Sequence, residues 1–384
     1  MVKVLQFVEG LSQGGIEAFV TNVVRNINKE EVICDFLVLK TEEVAHVDYV
    51  YEKQLLAEGC RIYYLINYDT SSLRTLQRAK GYIQALKEWF QEREREYDII
   101  HIHASHLGNF FPMIRTMEKC GVQHIFLHSH STKIQSTKMF LLHQIFRKLL
   151  YFDKKVTRLA CGEDAGRWMY GKHSFEIIKN GVELDRFRYL EENRISIKRE
   201  LGIPEKTQII GHIGAFRKEK NHFYLLNVFK LYCEKHPNSI LLLVGDGTLK
   251  KQIVSKVNDL GLKEKVLFLG NRLDVNKILS AIDCVLLPSL FEGISLAAVE
   301  TQANGVPMII SDGVARQTIL CNKVSVCSIE ETERAYSKWC DTIEKVIYEG
   351  RKGIDYKEEF KTYDIRRTVR KLEILYKGCI ENKI

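Results

Sequence analysis

The run Pro288 to Asn304, PSLFEGISLAAVETQAN, holds two glutamates in different settings. Glu292 precedes Gly293 in a predicted loop, whereas Glu300 falls one to two turns into a helix predicted to start near Ser295, whose first N–H groups lack helical acceptors. Leu296, Val299 and Ala303 mark the buried stripe of that helix, and Glu300 lies one turn after Leu296, at the stripe's edge. A half-buried carboxylate needs a donor, which a ribose diol or an internal Lys or Arg can supply.

A second segment, Gly214 to Asn221, reads GAFRKEKN and gathers Arg217, Lys218 and Lys220 directly after an apolar run. Cations in such a loop suit a diphosphate; solvated surface charge is the plain alternative. Near the start, Gly14-Gly15-Ile16-Glu17 precedes the helical pattern Phe19, Val23, Val24, Ile27. A glycine pair there either lets backbone N–H groups approach a phosphate or simply makes a tight turn.

His101-Ile102-His103, His106 and His128-Ser129-His130 fall at predicted strand ends. Such H-x-H pairs can ligate zinc, but residues i and i+2 of any strand share a face, and no Cys or Asp at ligand spacing completes a site. A single histidine hydrogen-bonded to a substrate is the stronger reading. No D-x-D triplet occurs, so the carboxylate pair that commonly holds a metal on a nucleotide diphosphate is missing and no metal is expected. The loop Gly245 to Lys250 lacks the last glycine of a dinucleotide fingerprint, and no P-loop signature is present.

The elements that must position these residues are legible as short Val/Ile/Leu runs alternating with helical spacing, the pattern of parallel sheets wrapped by helices. The first series is Val2 to Val8, Cys34 to Leu39, Arg61 to Leu65, Ile99 to Ile102, His124 to Leu127 and Arg158 to Ala160. The second is Ile209 to Ile213, Ile240 to Val244, Val266 to Leu269, Cys284 to Leu287, Met308 to Ile310 and Val324 to Val326. Each series makes one doubly wound domain, and such sheets bind ligands beyond the carboxyl ends of their strands. The turn at Asn180-Gly181 places the hinge within Asn180 to Leu190, and Lys361 to Ile380 is helical.

The composition agrees with a soluble globular protein: 384 residues, 45% apolar, 28% charged and 5 prolines. Disorder, collagen and disulfide scaffolds are excluded. The opening run contains Lys3 and Gln6 and is shorter than the apolar region of a signal peptide, so a cytoplasmic protein is expected. The 10 cysteines form no C-x-x-C pair and read as small buried hydrophobes. The net charge of +8 is compatible with anionic ligands or an acidic membrane.

Taken in order, GGIE, HSHST at residues 128 to 132, KNGVELDRF, GHIGAFRKEKNH, LLVGDGTL and FEGISLAAVE with GVPMIISD closely resemble the retaining glycosyltransferases of family 4, over about Gly14 to Asp312. Within that family the chain looks most like bacterial enzymes that extend capsular or exopolysaccharide repeat units. The resemblance implies an α/β GT-B fold, two Rossmann-like doubly wound domains facing a cleft. Residues 1–185 would form the acceptor-binding domain, 186–360 the nucleotide-sugar domain, and 361–384 a helix returning to the first. It further implies a hexosyltransferase moving a sugar from a nucleotide-diphosphate sugar, with UDP expected, to a glycan or polyprenyl-linked acceptor, without an obligatory cofactor.

Carried over by position, Glu292 contacts the sugar, Glu300 the ribose and Lys220 the diphosphate. Gly14 and Gly15 form the phosphate-side loop, and His130 stands beside the reacting sugar. Gly293, Ile294, Ser295 and Leu296 present backbone amides, and Arg272 borders the base. Two departures stand out. Ala215 occupies the family's arginine position, with Arg217 two residues later, and Gly162 follows Cys161 where serine is common. A nucleotide-sugar epimerase and a non-catalytic nucleotide-sugar binder are the competing readings. Finally, Phe140, Leu141, Leu142, Ile145, Phe146 and Leu149 make an apolar stripe beside Arg147, Lys148, Lys154 and Lys155, which fits either a peripheral contact with the inner membrane face or a helix packed into its domain.

Overall fold

The computed structural model describes residues 1–11, 14–41, 50–67, 75–93, 96–132, 134, 136–150 and 155–381. They divide into two compact units, Met1–Gly181 with Ile365–Ile384, and Val182–Asp364.

In the first unit, strands β1 (Val2–Val8), β2 (Val32–Thr41), β3 (Ile62–Asn67), β4 (Ile99–Ala104), β5 (His124–Ser129), β6 (Val156–Ala160) and β7 (Glu176–Ile177) form one parallel sheet of order β3-β2-β1-β4-β5-β6-β7. Val4 lies between Cys34 of β2 and Ile99 of β4. Covered on both faces, β4 is buried along its whole length, with His101 and His103 among its apolar residues. Phe7, Ile102, Phe110 and Met117 belong to the core on one side.

The second unit holds β8 (Gln208–Ile213), β9 (Ser239–Val244), β10 (Val266–Gly270), β11 (Cys284–Leu287), β12 (Met308–Ser311) and β13 (Val324–Cys327), all parallel, in the order β10-β9-β8-β11-β12-β13. Leu241, Leu243, Leu286, Phe229 and Trp339 are buried in its core. Both units are therefore Rossmann-like, and every apolar run of the sequence falls on a strand. The two-residue β7 carries no periodic signal and escapes sequence reading.

Beyond Asp364 the chain rejoins the first unit. A 3₁₀ segment, Glu358–Tyr363, precedes helix Ile365–Glu381, which buries Ile365, Thr368, Val369, Leu372 and Tyr376. This helix packs on helix Gly15–Asn26 and on β1. Where the chain leaves and re-enters the unit, a Cβ on Gly181 would stand 2.6 Å from the Ile365 Cα, so no larger residue fits without backbone movement. The helix expected over Lys361 to Ile380 thus begins at Ile365, after the 3₁₀ segment.

Candidate functional site

In the second unit the strand order reverses between β8 and β11, which pair directly through Ile210 with Cys284 and Gly211 with Val285. Loops leaving the carboxyl ends of two strands at such a point diverge and open a crevice. The loop after β8 carries Lys220 and the loop after β11 carries Glu292, and their side chains meet as an ion pair, Lys220 Nζ to Glu292 Oε1. Only 16% and 14% of these side chains are exposed. The second carboxylate oxygen accepts from Ser289 Oγ at 2.9 Å.

Backbone bonds fix both loops. The Glu292 N–H donates to the Gly313 carbonyl (3.2 Å), and its own carbonyl accepts from the Ala315 N–H (2.9 Å). The Leu290 N–H donates to the Glu219 carbonyl at 2.8 Å, tying one loop to the other. Asn221, with φ 56°, takes the left-handed turn that ends the cationic loop, a conformation asparagine tolerates. Gly245 (φ 134°) brings the following loop so close that a Cβ would lie 2.2 Å from the Gly214 carbonyl oxygen.

Of the cations in this loop, Lys220 is drawn in, whereas Arg217 and Lys218 are exposed. Arg217 has no side-chain partner among the described residues, whereas Lys220 has Glu292. Two buried histidines lie near Lys220. His212 on β8 donates Nδ1–H to the Leu286 carbonyl (2.8 Å), and its ring centroid is 4.6 Å from that of His222. Burial, with a smaller contribution from the Lys220 charge, pushes His212 down to about 4 and His222 to about 2, so the two imidazoles are neutral. Neither was singled out from sequence, although both lie inside GHIGAFRKEKNH; Ser289 was missed as well, its signal being only its place three residues before Glu292.

Helix Leu296–Asn304 begins where expected, with Ser295 Oγ accepting from the Ala298 N–H at 3.2 Å and Gly305 (φ 77°) ending it. Gly293 and Ile294 lead into this N-terminus, and Gly293 is exposed. Glu300 is half-buried as a residue, but packing around its carboxyl pushes the pKa up to about 7, with Arg186 pulling the other way. Among the described residues no side chain donates a hydrogen bond to it, so the internal cation is present as a field and not as a bonded partner. Arg272 is differently placed. Its guanidinium makes a two-pronged contact with Asp274 (2.7 Å each) and a third bond to Glu200 (2.6 Å).

The remaining candidates belong to the first unit. Gly14 caps helix Gly15–Asn26 in extended conformation with the Glu17 carboxylate lying against it, and Gly15 has open space around its Cα. His130, pushed down to about 3 by burial, contacts His103 ring to ring, Nε2 to Nδ1 at 3.0 Å. The structure also supplies what the zinc reading lacked: β4 and β5 pair His103 with His128, so one ring nitrogen each of His101, His103 and His128 lie within 4.8 Å of one another. The third histidine comes from a neighbouring strand, where a search for local ligand spacing could not find it.

Residues 193–353 match the family model described as Glycosyl transferases group 1. The chain is 29% identical to EpsF of Bacillus subtilis (strain 168), named as a glycosyltransferase, over 97% of this chain and 96% of that one. It is 30% identical to the UDP-Gal:alpha-D-GlcNAc-diphosphoundecaprenol alpha-1,3-galactosyltransferase of Escherichia coli, over 57% of this chain and 59% of that one. Among solved structures, Anabaena HepE in complex with UDP-glucose superposes with a TM-score of 0.69 at 15% identity, covering 100% of this chain and 99% of that one. The architecture of the two units is that of the GT-B fold.

Proposed function

We propose that this chain, a glycosyltransferase carrying a group 1 domain, moves a sugar from a UDP-sugar to a glycan or lipid-linked acceptor in polysaccharide synthesis, with retention at the anomeric carbon. The observation that carries the proposal is the Lys220–Glu292 pair at the strand-order reversal of the second unit. On donor binding Lys220 exchanges Glu292 for the diphosphate, and Glu292, still held by Ser289, turns its freed oxygen to hydroxyls of the sugar. The amides from Gly293 to Leu296 add donors at a helix N-terminus. Glu300 accepts from the ribose diol, the face of Arg272 borders the base, and exposed Arg217 reaches the phosphate in place of an arginine at Ala215. In the first unit Gly14 and Gly15 offer N–H groups to phosphate, and His130 hydrogen-bonds the sugar.

The acceptor hydroxyl attacks the anomeric carbon on the face the phosphate leaves. A new carbon–oxygen bond forms as the carbon–phosphate-oxygen bond breaks, the proton passes to the departing phosphate, and Lys220 offsets the charge that grows there. No metal is assigned to this step. The Escherichia coli relative, named for a UDP-linked donor and a diphosphoundecaprenol acceptor, supports both substrate classes.

A lipid-linked acceptor makes contact with the membrane useful. Helix Thr137–Leu150 exposes Phe140, Leu141, Ile145 and Leu149 next to exposed Lys138, Lys148 and Lys155. Phe146 instead turns inward and stacks on Phe111 at 4.9 Å, Leu142 is half-buried, and Lys154 lies outside the described residues. Among the described residues no helix is long and apolar enough to cross a membrane. The proposed contact is therefore peripheral, at the cytoplasmic face. Incubation with UDP-sugars and a polyprenyl-diphosphate glycan tests the function: acceptor-dependent release of UDP and an axial-to-axial product linkage support it, while donor isomerisation without acceptor marks an epimerase.

A further inference from the structure

One face of the first unit's sheet concentrates imidazoles. His101 and His103 alternate onto the same side of β4, and the register sets His128 of β5 beside His103. Ring centroids lie 4.2 Å apart for His101 and His103, 5.5 Å for His101 and His128, and 5.6 Å for His103 and His128. All three residues are at most 1% exposed.

Their hydrogen bonds are incomplete. His101 Nε2 has no partner and neither ring nitrogen of His128 makes a well-formed hydrogen bond, although the Ile178 backbone interacts with His128. Buried polar atoms are seldom left so, because desolvation is then uncompensated. The bonds that do exist orient the rings from behind. His103 Nε2 lies 2.7 Å from Gln6 Oε1, an acceptor only, so Nε2 carries the proton and Nδ1 the lone pair. His101 Nδ1 lies 2.6 Å from the Tyr376 hydroxyl, which also accepts from Gln6 Nε2 at 3.5 Å, and an ion on the unpartnered Nε2 would set the tautomer in which Nδ1–H donates to Tyr376. A ring nitrogen held by an oxygen acceptor, with its opposite nitrogen bare, is the arrangement found behind metal-bound histidines.

We propose that His101, His103 and His128 form a site for one divalent transition-metal ion, Zn²⁺ being the expected occupant, internal to the first unit. Three imidazoles select borderline ions such as Zn²⁺ or Co²⁺ over Mg²⁺ and Ca²⁺, which prefer oxygen. Ligation at about 2 Å draws the three nitrogens closer than the 4.8 Å within which they now lie, and the ion replaces His130 as the partner of His103 Nδ1. Its outer contacts are Gln6 on β1 and Tyr376 on helix Ile365–Glu381, so the ion links the sheet to the helix that rejoins the unit from beyond Asp364.

The test uses the full chain without a histidine tag, stripped by chelator and dialysed. Titrated with Co²⁺, it should develop visible absorption that saturates at about one equivalent and is displaced by Zn²⁺, and Zn²⁺ should raise the Tm. His128→Asn should abolish the band, while Tyr376→Phe, which keeps the ring, should weaken Zn²⁺ binding by about tenfold. Absence of the band in the unmodified chain overturns the proposal without reference to any variant. Unchanged metal affinity in a folded His128→Asn protein overturns it too. The readouts are independent of sugar transfer.

Discussion

Lys220 and Glu292, separated by 72 positions in the sequence, neutralise each other at the meeting point of two loops, and Ser289 holds the glutamate from its other side. Each of the two groups proposed to grip the donor is thus the other's partner in the free protein. Binding a diphosphate on Lys220 requires breaking that pair, and breaking it frees the carboxylate for hydroxyls.

This coupling is measurable without catalysis. Lys220→Ala and Glu292→Ala each leave a largely buried charge unpaired, so each should destabilise the protein by about 1–3 kcal/mol, while the double variant should lose less than the sum. Chemical denaturation of the four proteins gives the coupling. Additive losses would mean that the pair contributes nothing to the free protein.

Glu300 should make stability, and through the proposed ribose contact UDP affinity, depend on pH. Its folded pKa, about 7, lies above the ordinary 4.5, so the folded state holds a proton that the unfolded chain releases in that interval. Its contribution to stability is full below about 4.5 and is lost as pH rises through about 7. Glu300→Gln, which cannot ionise, should therefore gain Tm relative to the parent between pH 5 and pH 8. UDP affinity of the parent should increase over the same range as the carboxylate becomes available to the ribose, and the variant should show no such increase. A pH-independent affinity difference between the two would separate Glu300 from the ribose.

On the proposed mechanism turnover should not respond to added Mg²⁺ or Mn²⁺, because it assigns neutralisation of the diphosphate to cations of the protein. Initial rates across a magnesium titration should stay flat. A saturable rise in rate would assign the diphosphate to a metal.

Membrane contact should fail when the exposed stripe is charged. Leu141 and Ile145 are 63% and 48% exposed, so Leu141→Glu and Ile145→Glu leave packing intact. The parent should float with anionic vesicles at low salt and less at high salt, and the variants should remain at the bottom of the gradient. Equal flotation of parent and variants would move the contact elsewhere.

The fold was legible because a buried parallel strand must be apolar on both faces, so runs such as Cys284 to Leu287 stand out regardless of context. The carboxyl ends of those runs pointed to the Lys220 and Glu292 loops for the same reason. What stayed hidden depends on distant pairing. The lysine–glutamate contact follows from β8 lying beside β11, and the third imidazole from the register of β4 with β5. Neither spacing has a local trace. Arg272 shows the converse, a cation well placed by motif whose fork the structure gives to Asp274 and Glu200.

The central claim, that Lys220 serves the leaving phosphate and Glu292 the sugar, is tested most directly by calorimetric titration of UDP and UDP-sugar into the parent, Lys220→Ala and Glu292→Ala proteins, with initial rates at saturating donor. Lys220→Ala should cut turnover at saturation by about a hundredfold or more while affinity for intact donor falls less. Glu292→Ala should weaken UDP-sugar more than UDP. Normal turnover of saturated Lys220→Ala, or equal weakening of both ligands by Glu292→Ala, would contradict the account.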